Sequence, residues 1–202
     1  VQTCALPISN LCIGKPCADP AKIPSLLDEN GNLKSSKTYR QAYAEGREFT
    51  VLDEMVIEIE AQYHRFKELV GRDPDYFEAH AVRSKNLSKA LAIVAEKYDL
   101  KLNTHNADGS RTFCGKPVAS LPLESMNPDY DPWQSLKKAV LNARTDLPNV
   151  FVCHPGYLDD FLLRSSSLTV NRTKEVAMLT DPAMKAWLEE HHVQLITYSD
   201  IC

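Results

Sequence analysis

The sequence GRDPDYFEAH, residues 71–80, decides the fold. Its first four residues end a long amphipathic helix, and the six that follow predict a short buried strand. Side chains alternate along a strand, so Glu78 and His80 are expected on one side and Ala79 on the other. The carboxyl ends of strands in an α/β domain face ligands, so this carboxylate and imidazole predict half of a metal or acid/base site. A strand-end histidine that only packs and hydrogen-bonds a neighbour is the alternative interpretation.

The segments on either side of this strand predict a βαβ unit. Residues 50–70 place apolar side chains at three- and four-residue steps, which predicts a helix with Thr50 as N-cap and Gly71 as its left-handed end. Another amphipathic helix is predicted after Ser84, and residues 100–103 read as the next strand. Strand, helix and strand in this order favour a parallel sheet.

Composition bounds the class of protein. The 202 residues are 44% hydrophobic and 25% charged, with a net charge of −4, as in a soluble globular domain. No basic cluster is large enough to indicate a nucleic-acid partner, and no apolar run approaches the roughly 18 residues of a membrane helix. The six cysteines form no C-x-x-C pair. Their scattered positions favour a reducing compartment, hence the cytoplasm, over a disulfide scaffold.

The first residues of the chain do not look like part of a domain. Residues 1–8 back-translate to a sequence that looks like a common sequencing-adapter oligonucleotide. We hypothesise that residues 1–9 are an assembly artefact and that residues 10–202 are a single domain, incomplete at its N-terminus. An independently sequenced locus that encodes the same opening residues would refute this hypothesis.

Three histidines are predicted at the ends of strands or in the loops after them. They are His80, His105 after the strand at 100–103, and His154 after a buried β-rich run at 149–153. A parallel sheet brings such ends to one face, where a pocket is the default site. An exposed loop is the favoured interpretation of His105. A last strand is predicted at 193–198.

Motifs spread over nearly the whole chain carry a resemblance to one family. In order they are Gly14-Lys15-Pro16 with Pro24-Ser25-Leu26, Glu60-x-Gln62-x-x-Arg65-Phe66 with Gly71-Arg72-x-Pro74, Phe77-Glu78-Ala79-His80, Cys153-His154-Pro155-Gly156, and Leu179-Thr180 with Leu195-Ile196-x-Tyr198-x-Asp200. From Asn10 onward the chain resembles the YdjC-like carbohydrate deacetylase family. The resemblance implies an α/β fold, a distorted (β/α) barrel-like parallel sheet, here without its first strand or strands. It also implies removal of acetyl groups from N-acetylated sugars, including chitooligosaccharides, with a divalent metal.

The resemblance assigns the metal site only in part. It implies ligands from an Asp-Asp motif, from a Gly-x-His motif and from the first histidine of an Asp-Ser-His-His-His run. Only the last of these maps onto this chain, as His80. Glu78 stands where the family usually has Asp, and Ala81 and Val82 replace the later histidines. The Gly-x-His histidine would fall at Ile8 and the Asp-Asp motif upstream, so the 202-residue chain is expected to be inactive.

The remaining site residues follow from the same resemblance. His154 maps onto the family's His-Pro-Gly and is the candidate catalytic imidazole, able to protonate a leaving amine. Glu78, His105, Pro155 and Gly156 are candidates for supporting the site or contacting substrate. The metal is expected to be Mg²⁺, with Zn²⁺ as the alternative. His80 and His154 are expected side by side at one rim of the sheet.

Two further expectations concern partners and alternatives. The expected partner is a small acetylated sugar, with neither nucleic acid nor membrane, and the apolar helix stripes would also allow a homodimer. A non-catalytic carbohydrate-binding or interaction domain on the same scaffold is the alternative function, because Glu78 replaces Asp and the later histidines are missing. A phosphoesterase is disfavoured, since no Gly-rich phosphate loop is visible.

Overall fold

The computed structural model describes residues 8–105, 110–122 and 124–202. These residues form two compact units, which we call the N-terminal unit (residues 8–115 together with Cys202) and the C-terminal unit (residues 116–201). The segment attributed above to a sequencing adapter lies outside the described residues, apart from Ile8 and Ser9.

The N-terminal unit combines three helices with four short strands. The helices are α1 (Ser36–Ala44), α2 (Leu52–Val70) and α3 (Lys85–Lys97), and the strands are β1 (Ile8–Asn10), β2 (Glu78–His80), β3 (Asn103–His105) and β4 (Arg111–Phe113). Two 3-10 turns, Pro20–Lys22 and Pro24–Leu26, lie between β1 and α1. The apolar stripes of α2 and α3 bury Ile59, Tyr63, Leu91 and Val94 in one core, as their spacing predicts.

Helix α2 has the predicted end and a start shifted by one residue. Gly71 adopts a left-handed backbone with φ 76° and donates its N–H to the Lys67 carbonyl, so the predicted C-cap is confirmed. The N-cap is Val51 rather than Thr50. Thr50 instead gives both its N–H and its hydroxyl to the Glu48 carboxylate, which removes its side chain from the helix end.

The predicted βαβ unit is present as β2, α3 and β3. Ser84 caps α3 as expected, accepting hydrogen bonds from the N–H groups of Asn86 and Leu87. A parallel bridge joins Phe77 to Leu102, just before the two strands. Strand β2 is shorter than predicted, because it begins at Glu78. Strand β3 is shifted along the chain, since it spans Asn103–His105 where a strand at 100–103 was expected.

The strands of the N-terminal unit lie in two separate sheets and pair in both directions, which corrects the prediction of a parallel sheet. Strands β1 and β2 are parallel, with Asn10 opposite His80. Strands β3 and β4 are antiparallel, with Asn103 opposite Phe113 and His105 opposite Arg111. The connection between His105 and Arg111 is too short for the crossover that parallel strands need, which explains the reversal.

A buried carboxylate on α2 holds the loop after β1. Glu58 is fully buried and accepts hydrogen bonds from the N–H groups of Cys17 (3.0 Å) and Ala18 (2.9 Å). One turn later, the Gln62 amide accepts from the Asn10 N–H and donates to the Asn10 carbonyl. Two side chains of α2 thus fix the end of β1 and the loop that follows it.

The C-terminal unit is mainly helical. Its helices are α4 (Pro132–Leu141), α5 (Asp160–Ser165), α6 (Val170–Thr180) and α7 (Pro182–Glu190), and its strands β5 (Lys116–Ser120) and β6 (Asn149–Val150) pair in parallel. Met178, Met184 and Leu188 form the centre of its core, with Trp133 and Phe151 packed against them. Asp181 caps α7 ahead of Pro182 by accepting a hydrogen bond from the Ala183 N–H.

Two strand predictions fail in this unit. The run at 149–153 is a strand only over Asn149–Val150, so His154 follows an extended loop rather than a strand end. The predicted strand at 193–198 is wrong, since a 3-10 helix at Tyr198–Asp200 occupies its end. The Asp200 carboxylate accepts hydrogen bonds from the N–H and hydroxyl of Thr197, which favours a turn there over an extended pairing.

A disulfide joins Cys114 to Cys202, with their Cα atoms 5.9 Å apart. The scattered cysteines did not predict this pair, because the separation of 88 residues gives no local motif from which it could be read. Cys12, Cys17 and Cys153 are free, and Cys4 lies outside the described residues. In the described part of the chain, the helices are too short or too polar to cross a membrane.

Candidate functional site

Glu78 does not stand open at the end of β2. Its carboxylate lies 3.6 Å from the Arg111 guanidinium of β4, and both side chains are largely buried, with 21% and 15% of their surface exposed. A hydrogen bond with Asn103 of β3 adds a second contact. Burial raises the pKa of Glu78, and the Arg111 charge and the Asn103 hydrogen bond oppose that rise. Side chains from three strands therefore meet around this carboxylate.

His105 belongs to the same cluster. It is the last residue of β3 rather than part of the loop, and it lies opposite Arg111 in the antiparallel register. Partial burial of the ring, together with the charges of Arg111 and Arg83, lowers the pKa of His105 to about 4. The imidazole is therefore neutral near pH 7 and suits a hydrogen-bonding role.

His80 ends β2 and is exposed, as a ligand-facing residue would be. Within the described residues, no group of three or more histidines, cysteines, aspartates or glutamates is placed to hold a metal ion. The nearest carboxylate in β2 is that of Glu78, which is already engaged by Arg111. A catalytic divalent ion normally takes about three protein ligands, so the described residues do not by themselves fit one.

The His154 loop lies in the C-terminal unit, against α6. The His154 N–H donates to the Glu175 carboxylate, and the His154 carbonyl accepts from the Arg172 guanidinium at 3.4 Å. The Gly156 N–H reaches the Arg172 carbonyl at 3.3 Å. Because Pro155 lies between these contacts, α6 holds the backbone on both sides of the His-Pro-Gly turn.

The Glu175 carboxylate is fully buried. Besides the His154 N–H, it accepts the Tyr130 hydroxyl at 2.9 Å. The Lys174 ammonium donates to the Tyr130 carbonyl at 2.9 Å, which holds that loop from the same helix. Hydrogen bonds of this kind are what a buried carboxylate needs in order to be tolerated.

The His154 imidazole is half-buried. Its Nδ1 is buried and has no hydrogen-bond partner among the described residues. Burial lowers the pKa of His154; the Glu175 charge opposes this and the Arg172 charge adds to it. The neighbouring Cys153 thiol has its pKa raised to about 12 by burial and by Glu175. Cys153 therefore stays a thiol near neutral pH and does not suit a nucleophile.

The predicted site residues fall into two clusters. Glu78 and His105 lie together in the N-terminal unit, both against Arg111, and His80 ends the strand that carries Glu78. His154, Pro155 and Gly156 lie in the C-terminal unit. The expectation that His80 and His154 lie side by side stays a prediction.

Sequence reasoning missed three side chains that hold these clusters. Arg111 could have been found from the short connection after His105, which is too short for a parallel crossover and so returns the chain beside β3. Glu175 and Arg172 carry no such signal, because they lie on a helix 18 to 21 residues beyond the histidine that they hold. Only the packing of α6 against the loop shows their role.

Comparison with known proteins places this geometry in a family. The family model described as "YdjC-like protein" matches residues 9–190. The chain is 31% identical over 198 residues to Carbohydrate deacetylase 2 of Listeria innocua, covering 95% of this chain and 75% of that protein. It is 27% identical over 214 residues to the Chitooligosaccharide deacetylase of Yersinia enterocolitica, covering 98% and 79%.

A solved structure is similar in fold. It is that of an Enterococcus faecalis V583 protein assigned to cellobiose-phosphate cleavage, and it superposes with a TM-score of 0.72 at 21% identity, covering 96% of this chain and 76% of that one. At that identity the likeness concerns the fold alone. Since the family match runs from β1 to the end of α7 and includes the His154 loop, the chain belongs to the YdjC-like protein family.

Proposed function

We propose that this protein is a carbohydrate deacetylase that hydrolyses the acetamide group of N-acetylated sugars, with chitooligosaccharides as its substrate class. The observation that carries the proposal is the alignment over 95% of the chain with a protein named Carbohydrate deacetylase 2. The name of the Yersinia enterocolitica relative supports the substrate class. A (β/α) barrel arrangement, a homodimer and a cytoplasmic location belong to the same proposal. The Cys114–Cys202 disulfide is the observation that counts against the cytoplasmic part of the proposal, because such bonds persist mainly in oxidising compartments.

His154 is the residue to which we assign proton transfer. Hydrolysis of an acetamide requires a proton to leave the attacking water and a proton to reach the departing amine. The lowered pKa of His154 favours the neutral imidazole at neutral pH. A neutral ring accepts the water proton first, and the resulting imidazolium then donates that proton to the sugar nitrogen.

A divalent ion, Mg²⁺ or Zn²⁺, is part of the proposal, with His80 as one of its ligands. Such an ion, when bound, polarises an amide carbonyl and acidifies water. Glu78 is a poor second ligand, because its carboxylate faces Arg111. The described residues supply no complete ligand group, so we assign no step of the reaction to the ion.

A non-catalytic carbohydrate-binding domain is the second candidate function. The engagement of Glu78 by Arg111 favours it, because a carboxylate held by a guanidinium is less available as a base or ligand. Release of acetate separates the two candidates directly, because a binding domain retains the sugar and leaves it acetylated.

The test uses the protein expressed from its complete open reading frame. It is incubated with a di-N-acetylated chitooligosaccharide, and acetate is measured with and without a chelator. We expect acetate release that the chelator abolishes. His154→Asn should lower kcat by about 100-fold or more, the range of general acid–base catalysis, and His80→Ala should abolish metal uptake measured by elemental analysis.

His192→Asn is the matched control, because His192 is exposed in the same unit and has a left-handed backbone that asparagine tolerates. It should keep full activity. Sugar binding without acetate release would reject the deacetylase in favour of the binding domain, and full activity in His154→Asn would reject the assignment of His154.

A further inference from the structure

Helix α6 presents two opposite charges to the backbone of one residue. Glu175 receives the His154 N–H, and three residues earlier Arg172 donates to the His154 carbonyl. Residues three apart share a helix face, so one turn of α6 binds both the N–H and the carbonyl of His154. The carboxylate is fully buried, and Tyr130 occupies its other oxygen.

The hydrogen bonds from α6 hold the His154 backbone more firmly than a turn at the surface requires. Burying a carboxylate costs several kcal/mol of folding free energy unless its hydrogen bonds are made. The hydrogen bond from the His154 N–H to Glu175 therefore fixes the position of the loop against α6. His154 is followed by Pro155, whose missing N–H leaves the loop few other anchors. The next hydrogen bond runs from the Gly156 N–H to the backbone carbonyl of Arg172.

We propose that Glu175 and Arg172 are positioning residues for His154, which fix its backbone from α6 and balance the charge around its imidazole. This rests on the proposed function only in so far as His154 takes part in the reaction. The groups that face His154 are Glu175 and Arg172 from α6 and the Cys153 thiol beside it, while Tyr130 acts through Glu175.

The two charges act on the imidazole in opposite directions. Glu175 raises the pKa of His154 and Arg172 lowers it, against a background of burial that lowers it. Removing the carboxylate should therefore move the midpoint of His154 titration to lower pH. Removing the guanidinium should move it to higher pH. A helix with a merely structural role would not produce shifts of opposite sign.

The test is a histidine titration by nuclear magnetic resonance on the 202-residue chain, with the His154 signals identified by their loss in His154→Asn. We expect Glu175→Gln to lower the His154 midpoint and Arg172→Gln to raise it by a smaller amount. Glu58→Gln is the matched control, a fully buried carboxylate in the N-terminal unit, and it should leave the midpoint unchanged.

Unchanged midpoints in both variants, or shifts in the same direction, would overturn the proposal. If Glu175→Gln does not fold, Arg172→Gln alone decides it by the sign of its shift. In the active protein, Glu175→Gln should lower kcat more than it raises KM. Sugar binding without acetate release would reject the proposed function, and full activity in His154→Asn would reject the assignment of proton transfer to His154. The titration result would stand in either case, so the failures are distinguishable.

Discussion

The contact between Glu78 and Arg111 joins two strands through charges that are mostly out of water. Removing one partner of such a pair leaves the other charge buried and uncompensated, which costs more than the pair contributes. Here the carboxylate would keep only its contact with Asn103.

We therefore expect Arg111→Met to lower the free energy of unfolding by about 1–3 kcal/mol, measured by urea denaturation. The double variant Glu78→Gln/Arg111→Met should be more stable than Arg111→Met alone, because no charge is then left unpaired. Arg144→Met is the control. Its partner is Asp146, both side chains are more than half exposed, and the loss should be within about 1 kcal/mol. Equal losses of unfolding free energy for the Arg111 and Arg144 variants would show that the buried pair contributes no more to stability than the exposed pair.

At this scale the sequence identifies residues that act through their own chemistry better than residues that act through a neighbour. His154 and His80 are candidates because an imidazole near a predicted strand end suits ligands. Arg111, Glu175 and Arg172 were missed, because their roles depend on which backbone or carboxylate they meet in three dimensions. The spacing of residues along the sequence does not encode these contacts.

Among the helices, α2 offers the clearest test of a local signal. Gly71 ends it with φ 76°, a conformation that costs an L-residue roughly 1 kcal/mol, and an added Cβ would meet no atom within 4 Å. The cost of a side chain there is thus a backbone cost alone.

Gly71→Ala should lower stability by about 1 kcal/mol, measured by thermal or urea unfolding. Gly156→Ala is the comparison, because Gly156 does not have a positive φ and its added Cβ would meet the Arg172 Cδ at an ordinary 3.7 Å. It should cost less than Gly71→Ala. The reverse order would mean that the loop contact, not the left-handed backbone, is the tighter constraint.

Helices whose apolar pattern repeats over several turns were predictable from the sequence, and short elements were not. The apolar stripes of α2 and α3 repeat over enough residues to outweigh local exceptions. Strand β4 and the failed strand at 193–198 each depend on a few residues, and local hydrogen bonds decide their outcome, as Asp200 does at Thr197. The antiparallel pairing of β3 with β4 likewise differs from the parallel pairing that was expected.

Over the whole molecule, the family was readable from the order of short motifs, whereas the Cys114–Cys202 bond was not. The bond closes a loop of 88 residues, and in the chain-entropy account such a loop restricts the unfolded state by an amount that usually measures about 2–4 kcal/mol. The double variant Cys114→Ser/Cys202→Ser should lose stability in that range.

Cys17→Ser is the control for that experiment, because Cys17 is free and exposed. It should unfold at the same urea concentration as the unsubstituted chain under non-reducing conditions. If the double variant also did so, the bond would contribute nothing to stability.

The same bond makes residues 115–201 a closed ring, since both ends of that stretch are tied to bonded sulfurs. A protease that cuts once inside the ring linearises it and liberates no peptide. On a gel without reductant the nicked protein therefore migrates as one species, and with reductant it separates into two fragments. A backbone break in the C-terminal unit, even beside His154, thus leaves both new termini covalently attached to the rest of the molecule.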